Sequence, residues 1–203
     1  MDTYRTVERT GAAEIRIKGS RFVSLASAVV SEARVGERVD GLRKVHRDAR
    51  HHCYAYRIGV TSDIYRSTDD GEPSGTAGLP ILQQIESRAL TNTLVVVARY
   101  FGGTKLGRGG LARAYGEAAA LALDAAGTQE CVVRLRHVVR FGYDDTARAM
   151  HVVDSVGGEI VGSEYSEETE LVVEVRASMS RAFRVAFVEH LGGRGEVRLL
   201  DSV

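Results

Sequence analysis

The sequence predicts an α+β protein of two domains, and three observations lead to this prediction. Apolar residues recur at every second position in several short segments, as in strands, and at every third or fourth position between them, as in amphipathic helices. The helical pattern ends after residue 126, where the charge also changes sign. The remaining residues follow the order βαββαβ, so we expect a first domain over residues 1–127 and a ferredoxin-like second domain over residues 128–203.

The first domain begins with a predicted hairpin. Ile15 and Ile17 alternate with charged residues, and an apolar, partly β-branched run follows over residues 22–30. Gly19 and Ser20 separate the two segments and can turn the chain. We therefore expect two antiparallel neighbours in a sheet.

Helices and strands then alternate to residue 126. Ser31 is a typical N-cap for a helix that should cover one face of the sheet, and period-two alternation starts at His51. Pro80 suits the first turn of a short helix, and residues 93–100 are so continuously apolar that they predict a central strand buried on both faces. The alanine-rich residues 109–126 predict a helix that approaches the sheet closely.

The second domain has six predicted elements. Asp144 or Asp145 can cap its first helix, and pairs of glycines end both helices. The elements are a strand at residues 132–143, a helix with Ala147, Met150 and Val153, strands at residues 159–165 and 170–176, a helix with Phe183 and Phe187, and a strand at residues 196–200.

An arginine stripe in this domain permits two interpretations. Arg134, Arg136 and Arg140 share one face of a strand and could follow the phosphates of RNA. Single-strand readers of this architecture stack bases on sheet aromatics, and no aromatic residue shares this face of the strand. We therefore favour a solvated face on which Glu170 and Glu174 pair with the arginines.

Composition sets limits on partners and location. The 203 residues carry 27 Lys and Arg against 27 Asp and Glu, but residues 1–127 hold 18 against 14 and so have a net charge of +4. This permits an anionic partner without making the domain a strongly basic nucleic-acid binder. No apolar run reaches the roughly 20 residues of a membrane helix, and no signal peptide is apparent. Cys53 and Cys131 have no metal or disulfide spacing, so we expect reduced thiols, a cytoplasmic location and no membrane partner.

Two histidines beside a cysteine, "RHHC" at residues 50–53, raise the question of a metal site. On a strand, His51 and Cys53 point to one face and His52 to the other, so at most two of these side chains could share a metal. We therefore predict no metal site. Cys53, with apolar neighbours, is interpreted as a core thiol rather than a nucleophile.

The segment "STDDGEPSGTAGLP", residues 67–80, is too long for a simple hairpin loop. Asp69, Asp70 and Glu72 fall within four positions and are followed by small and hydroxyl residues, among them Thr76. In one interpretation the carboxylates bind backbone amides of two turns. In the other they form a rim that pairs with nearby basic residues or accepts hydrogen bonds from a ligand.

A glycine-rich segment, "YFGGTKLGRGGLARAYG" at residues 100–116, connects the central strand to the alanine-rich helix. Free amides at a helix N-terminus suit an anion, and Lys105 and Arg108 add positive charge. The spacing matches neither a P-loop nor a dinucleotide-binding turn. The glycines could instead serve close backbone crossings and left-handed turns, so both interpretations stay open.

Four segments together resemble the IMPACT family, specifically its bacterial YigZ-type members. They are "KGSRF" at residues 18–22, "DARHHCYAY" at 48–56, "TDDGEPSGTAGLPIL" at 68–82 and "VVVARYFGGTKLGRGGLARAY" at 95–115. The resemblance covers about residues 14–126, and a smaller ferredoxin-like second domain is also typical of the bacterial type. Two positions depart from the pattern: Thr104 stands where an aliphatic residue is common, and Arg108 where a small one is common.

The resemblance implies an N-terminal fold like domain IV of elongation factor G, a sheet with helices on one face, and a C-terminal fold similar to domain V of that factor. It also implies a connection with translation, because the eukaryotic relatives regulate translation by competing for the activator of a stress-responsive kinase. The family offers no established catalytic residues to carry over to this chain.

We therefore expect a non-enzymatic binding protein that contacts RNA, the ribosome or a translation-associated protein and needs no cofactor. The alternative is an unrecognised enzyme that acts on a small phosphorylated substrate. A third hypothesis is a scaffold whose motifs serve folding alone. The predicted ligand-binding residues lie around the two loops: His51, Asp69, Asp70, Glu72, Thr76, Arg99, Tyr100, Gly102, Gly103, Lys105, Gly107, Arg108, Gly109 and Gly110.

Overall fold

The computed structural model describes residues 2–60 and 64–200, which form two compact units. Tyr4–Cys131 is the larger unit, and residues 2–3 with 132–200 make up the smaller one. Each unit combines helices with antiparallel strands. The predicted α+β class is therefore confirmed.

Strands of the larger unit form a five-stranded sheet and a separate pair. In chain order they are β1 (Thr3–Val7), β2 (Gly11–Ile17), β3 (Ser20–Ala28), β4 (His51–Ile58), β5 (Ile64–Thr68), β6 (Thr93–Tyr100) and β7 (Thr128–Val132). The sheet has the order β2-β3-β6-β4-β5 with every pairing antiparallel, and β1 pairs with β7. The apolar β6 thus occupies the predicted central position and is buried from Thr93 to Arg99.

Three helices cover both faces of this sheet: α1 (Glu32–Val45), α2 (Gly78–Ser87) and α3 (Gly107–Ala126). α2 and α3 pack with Val95 and Val97 on one face, whereas α1 packs with Leu94 and Val96 on the other. The structure thus differs in one detail from a sheet with helices on one face only. The reason is the composition of β6, whose apolar side chains alternate between the two faces and require cover on each.

The helix boundaries follow the predicted signals closely. The Ser31 hydroxyl accepts a hydrogen bond from the Arg34 amide at the start of α1, and Pro80 lies in the first turn of α2. α3 begins at Gly107, two residues before the predicted start. β1, β5 and β7 were not predicted, because β5 and most of β7 are exposed and lack the apolar alternation that marks a half-buried strand.

The smaller unit has the predicted βαββαβ order. Its elements are β8 (Arg134–Phe141), α4 (Thr146–Ser155), β9 (Glu159–Tyr165), β10 (Thr169–Arg176), α5 (Ser180–His190) and β11 (Glu196–Leu199). The sheet order β11-β8-β10-β9 is antiparallel throughout, and Phe141, Phe183 and Phe187 are fully buried in its core. The observed β8 starts at Arg134, two residues later than predicted, because residue 132 still belongs to β7.

Charged side chains on β8 and β10 of the smaller unit form ion pairs with one another. Arg136 stands opposite Glu174 in the β8–β10 register and donates to it over 2.8 Å, and Arg140 pairs with Glu170 in the same way. The arginine stripe is therefore a charge-paired face, as favoured from the sequence. Asp145 occupies the N-cap of α4, but its carboxylate accepts hydrogen bonds from arginines rather than from a helix amide.

No helix in residues 2–60 and 64–200 combines the length and apolar character needed to cross a membrane.

The turn between β2 and β3 consists of Lys18 and Gly19, one residue earlier than predicted. Their φ angles are +47° and +82°, so both residues are left-handed, as in a type I′ turn. Glycine and asparagine adopt this conformation readily, whereas a lysine there costs about 1 kcal/mol or more. Lys18 therefore occupies a position for which its backbone preference is unfavourable.

Replacing Lys18 by asparagine is expected to stabilise the protein by about 1 kcal/mol, because asparagine tolerates the left-handed region better. Urea denaturation of the wild type and of Lys18→Asn measures the difference in the free energy of unfolding. Lys44→Asn in α1 is the control and should slightly destabilise, since asparagine is a poorer helix former than lysine. A Lys18→Asn variant no more stable than the wild type would contradict the assigned turn.

Candidate functional site

The candidate site lies at the C-terminal end of β6 in the larger unit, where four segments meet. The β2–β3 turn approaches on one side, since a Cβ atom on Gly102 would overlap the backbone of Gly19. The start of β4 approaches on the other side, where the Arg50 amide donates to the Arg99 carbonyl over 2.9 Å. The acidic loop at residues 69–77 and the segment leading into α3 complete the site.

A buried ion pair joins these segments. Glu72 Oε1 accepts hydrogen bonds from Arg99 Nη1 at 2.6 Å and from the Tyr115 hydroxyl at 2.9 Å. Only 4% of the Glu72 side chain and 6% of the Arg99 side chain are exposed. Arg99 Nη2 also donates to Ser20 Oγ over 3.3 Å. The Glu72 carboxylate thus connects the acidic loop to β6 and α3, and Arg99 extends the connection to β3.

Asp69 holds the same loop through backbone amides. Its Oδ1 accepts hydrogen bonds from the amides of Ala77 and Gly78, each at 2.9 Å, and its Oδ2 accepts from the Gly75 amide at 2.8 Å. Burial by itself raises the pKa of the Asp69 carboxyl, but these three hydrogen bonds outweigh it and hold the pKa below its usual value of 3.8. Asp69 therefore acts as an internal anchor for the start of α2.

Asp70 fixes the orientation of His51. Its φ of +43° directs its carbonyl to accept a hydrogen bond from His51 Nδ1 at 2.7 Å. The Asp70 carboxylate accepts from the His52 amide at 2.7 Å and from Arg43 at 3.2 Å. With Nδ1 used as a donor, His51 Nε2 faces Glu72 Oε1 at 3.9 Å.

Cys53 belongs to the core beneath this loop. Its thiol donates to the Asp69 carbonyl over 2.9 Å, and burial raises the pKa of the thiol well above its usual value. A thiol in this environment is not activated as a nucleophile. The described residues contain no group of three His, Cys, Asp or Glu side chains placed to hold a metal ion, and both cysteines are free.

The glycine-rich segment combines backbone requirements with open surface. Gly102 is needed for the crossing with Gly19, and Gly103 and Gly107 have φ angles of +85° and +71°. Gly109 has neither requirement, because a Cβ there would meet nothing closer than 4.0 Å. The first turn of α3 has no capping hydrogen bond from the side chain at its N-cap position.

The predicted site residues divide into an inner and an outer group. Glu72, Thr76 and Arg99 are buried, and Thr76 donates to the Pro73 carbonyl within the loop. Tyr100 is half-buried and its hydroxyl lies 2.9 Å from His46 Nδ1. The exposed members are glycines and two cations: Gly102, Gly103, Lys105, Gly107, Arg108 and Gly109, with Gly110 half-buried beside them. Arg108 donates to the Ser74 carbonyl over 2.8 Å, which connects the two loops.

Several residues of this site were missed from the sequence. Tyr115 was placed only within the predicted alanine-rich helix, since nothing in the helical period shows that its hydroxyl reaches Glu72. Ser20, Lys18 and Arg50 lie far from the two loops along the chain. Phe101 lies between two predicted site residues in "RYFGG", and 45% of it is exposed. An aromatic residue directly after a buried strand was the available signal for Phe101.

Comparison with known proteins identifies the family. A family model described as the Impact N-terminal domain matches residues 18–123. The IMPACT family member YvyE of Bacillus subtilis is 35% identical over 206 residues, which cover 98% of this chain and 91% of that protein. The chain belongs to the IMPACT family. The predicted membership is confirmed.

A second bacterial relative and a solved structure also cover both units, whereas a yeast relative covers about half of the chain. The IMPACT family member YigZ of Escherichia coli is 32% identical over 91% of this chain and 90% of that protein. Protein IMPACT homolog of Saccharomyces cerevisiae is 36% identical over 103 residues, 48% of this chain and 39% of that protein. A solved crystal structure of a hypothetical protein matches with a TM-score of 0.76 at 28% identity and covers 100% of both chains.

Glu72→Gln is expected to lower the free energy of unfolding by about 3 kcal/mol, because it leaves the buried Arg99 guanidinium without a counter-charge. Urea denaturation measures this change. The control is Glu14→Gln, whose carboxylate pairs with Arg16 at the surface and should contribute less than about 1 kcal/mol. Equal effects of the two substitutions would show that the Glu72–Arg99 pair does not stabilise the fold.

Asp69→Asn is expected to destabilise the protein by about 1–3 kcal/mol at pH 7, because an amide cannot accept all three backbone hydrogen bonds. A lowered folded pKa contributes stability above the unfolded value of 3.8, and this stability disappears as the pH falls through the folded value. Denaturation curves should therefore show a constant difference from the wild type between pH 7 and 5 and a shrinking difference below 3.8. Asp48→Asn, at an exposed position, is the control; a pH-independent Asp69→Asn effect would contradict the assignment.

Proposed function

We propose that this IMPACT-family chain is a non-enzymatic binding protein that contacts RNA through the surface at the end of β6. The observation that supports the proposal is the separation of charge at this site. The carboxylates of Asp69 and Glu72 turn inward and are satisfied by the protein, whereas Lys18, Lys105 and Arg108 are exposed. The cations of this surface are thus accessible to a partner, whereas the carboxylates of Asp69 and Glu72 form hydrogen bonds within the protein.

Arg50 adds a fourth exposed cation beside the end of β6. Within the described residues, none of Lys18, Arg50, Lys105 and Arg108 lies within 4.0 Å of a carboxylate oxygen, although the charge of Arg108 helps to lower the pKa of Asp69. We refer to these four side chains as the basic rim. They come from three separate segments, which suits an extended polyanion with charges at several points better than a single small phosphate.

The unfavourable conformation of Lys18 supports the same proposal. A lysine in a left-handed turn costs stability, and such strain tends to persist where a side chain serves a function. Placed in the rim, Lys18 would gain a phosphate contact that offsets the loss. We propose that the protein acts in the cytoplasm on RNA, the ribosome or a translation-associated partner, as the family resemblance implies.

An enzyme acting on a small phosphorylated substrate is the second candidate. The observation in its favour is His51 Nε2, which lies 3.9 Å from Glu72 Oε1, as an acid–base pair could. Glu72 already accepts hydrogen bonds from Arg99 and Tyr115 in a buried position. We favour binding, because that carboxylate is engaged in holding the fold together.

Lys105→Ala and Arg108→Ala are expected to weaken binding to single-stranded RNA and to reduce the dependence of affinity on salt. Each lost phosphate contact should lower the slope of log affinity against log salt by about 0.7. Fluorescence anisotropy with a labelled RNA at several salt concentrations measures both quantities. The matched control is Arg38→Ala. Arg38 is exposed on α1, which covers the face of the sheet opposite α2 and α3.

The proposal fails if the wild type shows no affinity for RNA. It also fails if affinity does not depend on salt, or if Arg38→Ala has the same effect as Arg108→Ala, because either result would remove the basic rim as the binding surface. Turnover of a small phosphorylated compound that is lost in His51→Gln would favour the enzyme.

A further inference from the structure

We propose that Phe101 is a base-stacking residue and that the surface at the end of β6 therefore takes single-stranded rather than double-stranded RNA. This inference rests on the proposed function and adds the form of nucleic acid that the site selects. It concerns a residue that makes no contribution to the basic rim itself.

Phe101 differs from every other phenylalanine of the chain. The sequence has five, and the other four, Phe22, Phe141, Phe183 and Phe187, are at most 1% exposed. Phe101 is 45% exposed. A large apolar side chain on an open surface is not by itself unusual. What distinguishes Phe101 is its place between the buried Arg99 and the exposed Lys105, beside the contact of Gly102 with Gly19.

The backbone on both sides of Phe101 is anchored. Two residues before it, Arg99 is held by a buried ion pair in which Arg99 Nη1 lies 2.6 Å from Glu72 Oε1. The following residue, Gly102, donates its amide to Ser20 Oγ over 3.2 Å and packs against Gly19. The backbone of Phe101 is therefore held in place before binding, which lowers the conformational entropy that Phe101 would lose when a partner binds.

Arg99 also supports the ring directly. Its guanidinium lies 5.5 Å from the centroid of the Phe101 ring and 5.5 Å from the centroid of the buried Phe22 ring. A cation in this position is attracted to the ring face. The buried guanidinium thus lies on one side of the Phe101 ring, and 45% of Phe101 remains exposed to a partner.

The segment that follows Phe101 leaves open space at Gly103, whereas Gly102 is packed against Gly19. Gly102 and Gly103 follow Phe101 without side chains, and a Cβ on Gly103 would meet nothing within 4 Å. The cations Lys105 and Lys18 lie next to these glycines, the first along the chain and the second across the contact with Gly19. A flat ring flanked by cations is the arrangement by which single-stranded nucleic acids are bound, with bases on aromatics and phosphates on basic side chains.

A duplex does not offer the same contact. Its bases are already stacked inside the helix, so an aromatic side chain at the protein surface could reach only phosphates and sugars. The basic rim would bind either form of RNA, but Phe101 adds affinity only where an unstacked base is available. We therefore expect Phe101 to make the site bind single-stranded RNA more tightly than double-stranded RNA.

The chain contains no tryptophan, so Phe101→Trp would place a single tryptophan at the proposed stacking position. Its fluorescence should be quenched on addition of a single-stranded RNA of roughly ten nucleotides and much less by the corresponding duplex at equal phosphate concentration. Tyr65→Trp on β5, where the tyrosine is 62% exposed, is the matched control and should respond to neither.

A second variant separates stacking from charge. Phe101→Ala should weaken single-strand binding roughly 5- to 150-fold while leaving the salt slope unchanged, because stacking is lost and no charge is removed. Duplex binding should stay the same. Thermal denaturation of Phe101→Ala establishes that the variant is folded, and the Phe101→Trp quenching gives an independent result if it is not.

The possible results distinguish the two proposals. Salt-dependent RNA binding without quenching of Phe101→Trp would overturn the stacking role and leave the basic rim intact. Equal quenching by single strand and duplex would overturn the selection of single strands. Absence of any RNA binding by the wild type would overturn both proposals. Equal quenching by single-stranded DNA and RNA would support stacking and show that the site does not read the ribose.

Discussion

The buried pair of Glu72 and Arg99 is the interaction on which the rest of the candidate site in the larger unit depends. Two opposite charges that are almost fully removed from water must satisfy each other, because neither can be left unpaired in the interior without a large cost. Arg99 belongs to the central strand and cannot move without disturbing the sheet. Glu72 belongs to the acidic loop, which Asp69 also holds through backbone amides. The pair therefore fixes the loop to the framework, and Tyr115 adds a third attachment from α3.

This constraint also decides which charges remain at the surface. Once Glu72 points inward to Arg99 and Asp69 points to the amides of residues 75, 77 and 78, the loop richest in carboxylates in the larger unit presents little free negative charge. The neighbouring cations Lys18, Arg50, Lys105 and Arg108, by contrast, stay in contact with solvent. The unit as a whole has only a modest positive charge, so the local separation rather than the total is what suits an anion. Composition by itself gave little reason to expect this.

Most of the fold could be predicted from the sequence, because its signals are local. The continuous apolar run of β6, the N-cap at Ser31, the proline in α2 and the alternating strands of the smaller unit all act over a few residues. What escaped prediction depends on distant partners. β5 is a strand because β4 pairs with it, although its own residues are exposed and show no apolar alternation. The apolar β6 indicates that both faces of the sheet are covered, but no local signal indicates that α1 covers the face opposite α2 and α3.

The candidate site shows the same division. By itself, the sequence predicted which segments form the candidate site, since "DDGEPSGTAG" and "RYFGGTKLGRGGL" combine turn formers, charges and glycines in patterns that ordinary loops do not need. It left open whether the acids face a ligand or the protein. Only the tertiary structure decided this, because the direction of a carboxylate is set by partners that lie 27 and 43 positions away for Glu72. It likewise brought Lys18, Arg50 and Phe101 together at the end of β6, since proximity between distant residues arises from strand pairing and close backbone crossing rather than from spacing along the chain.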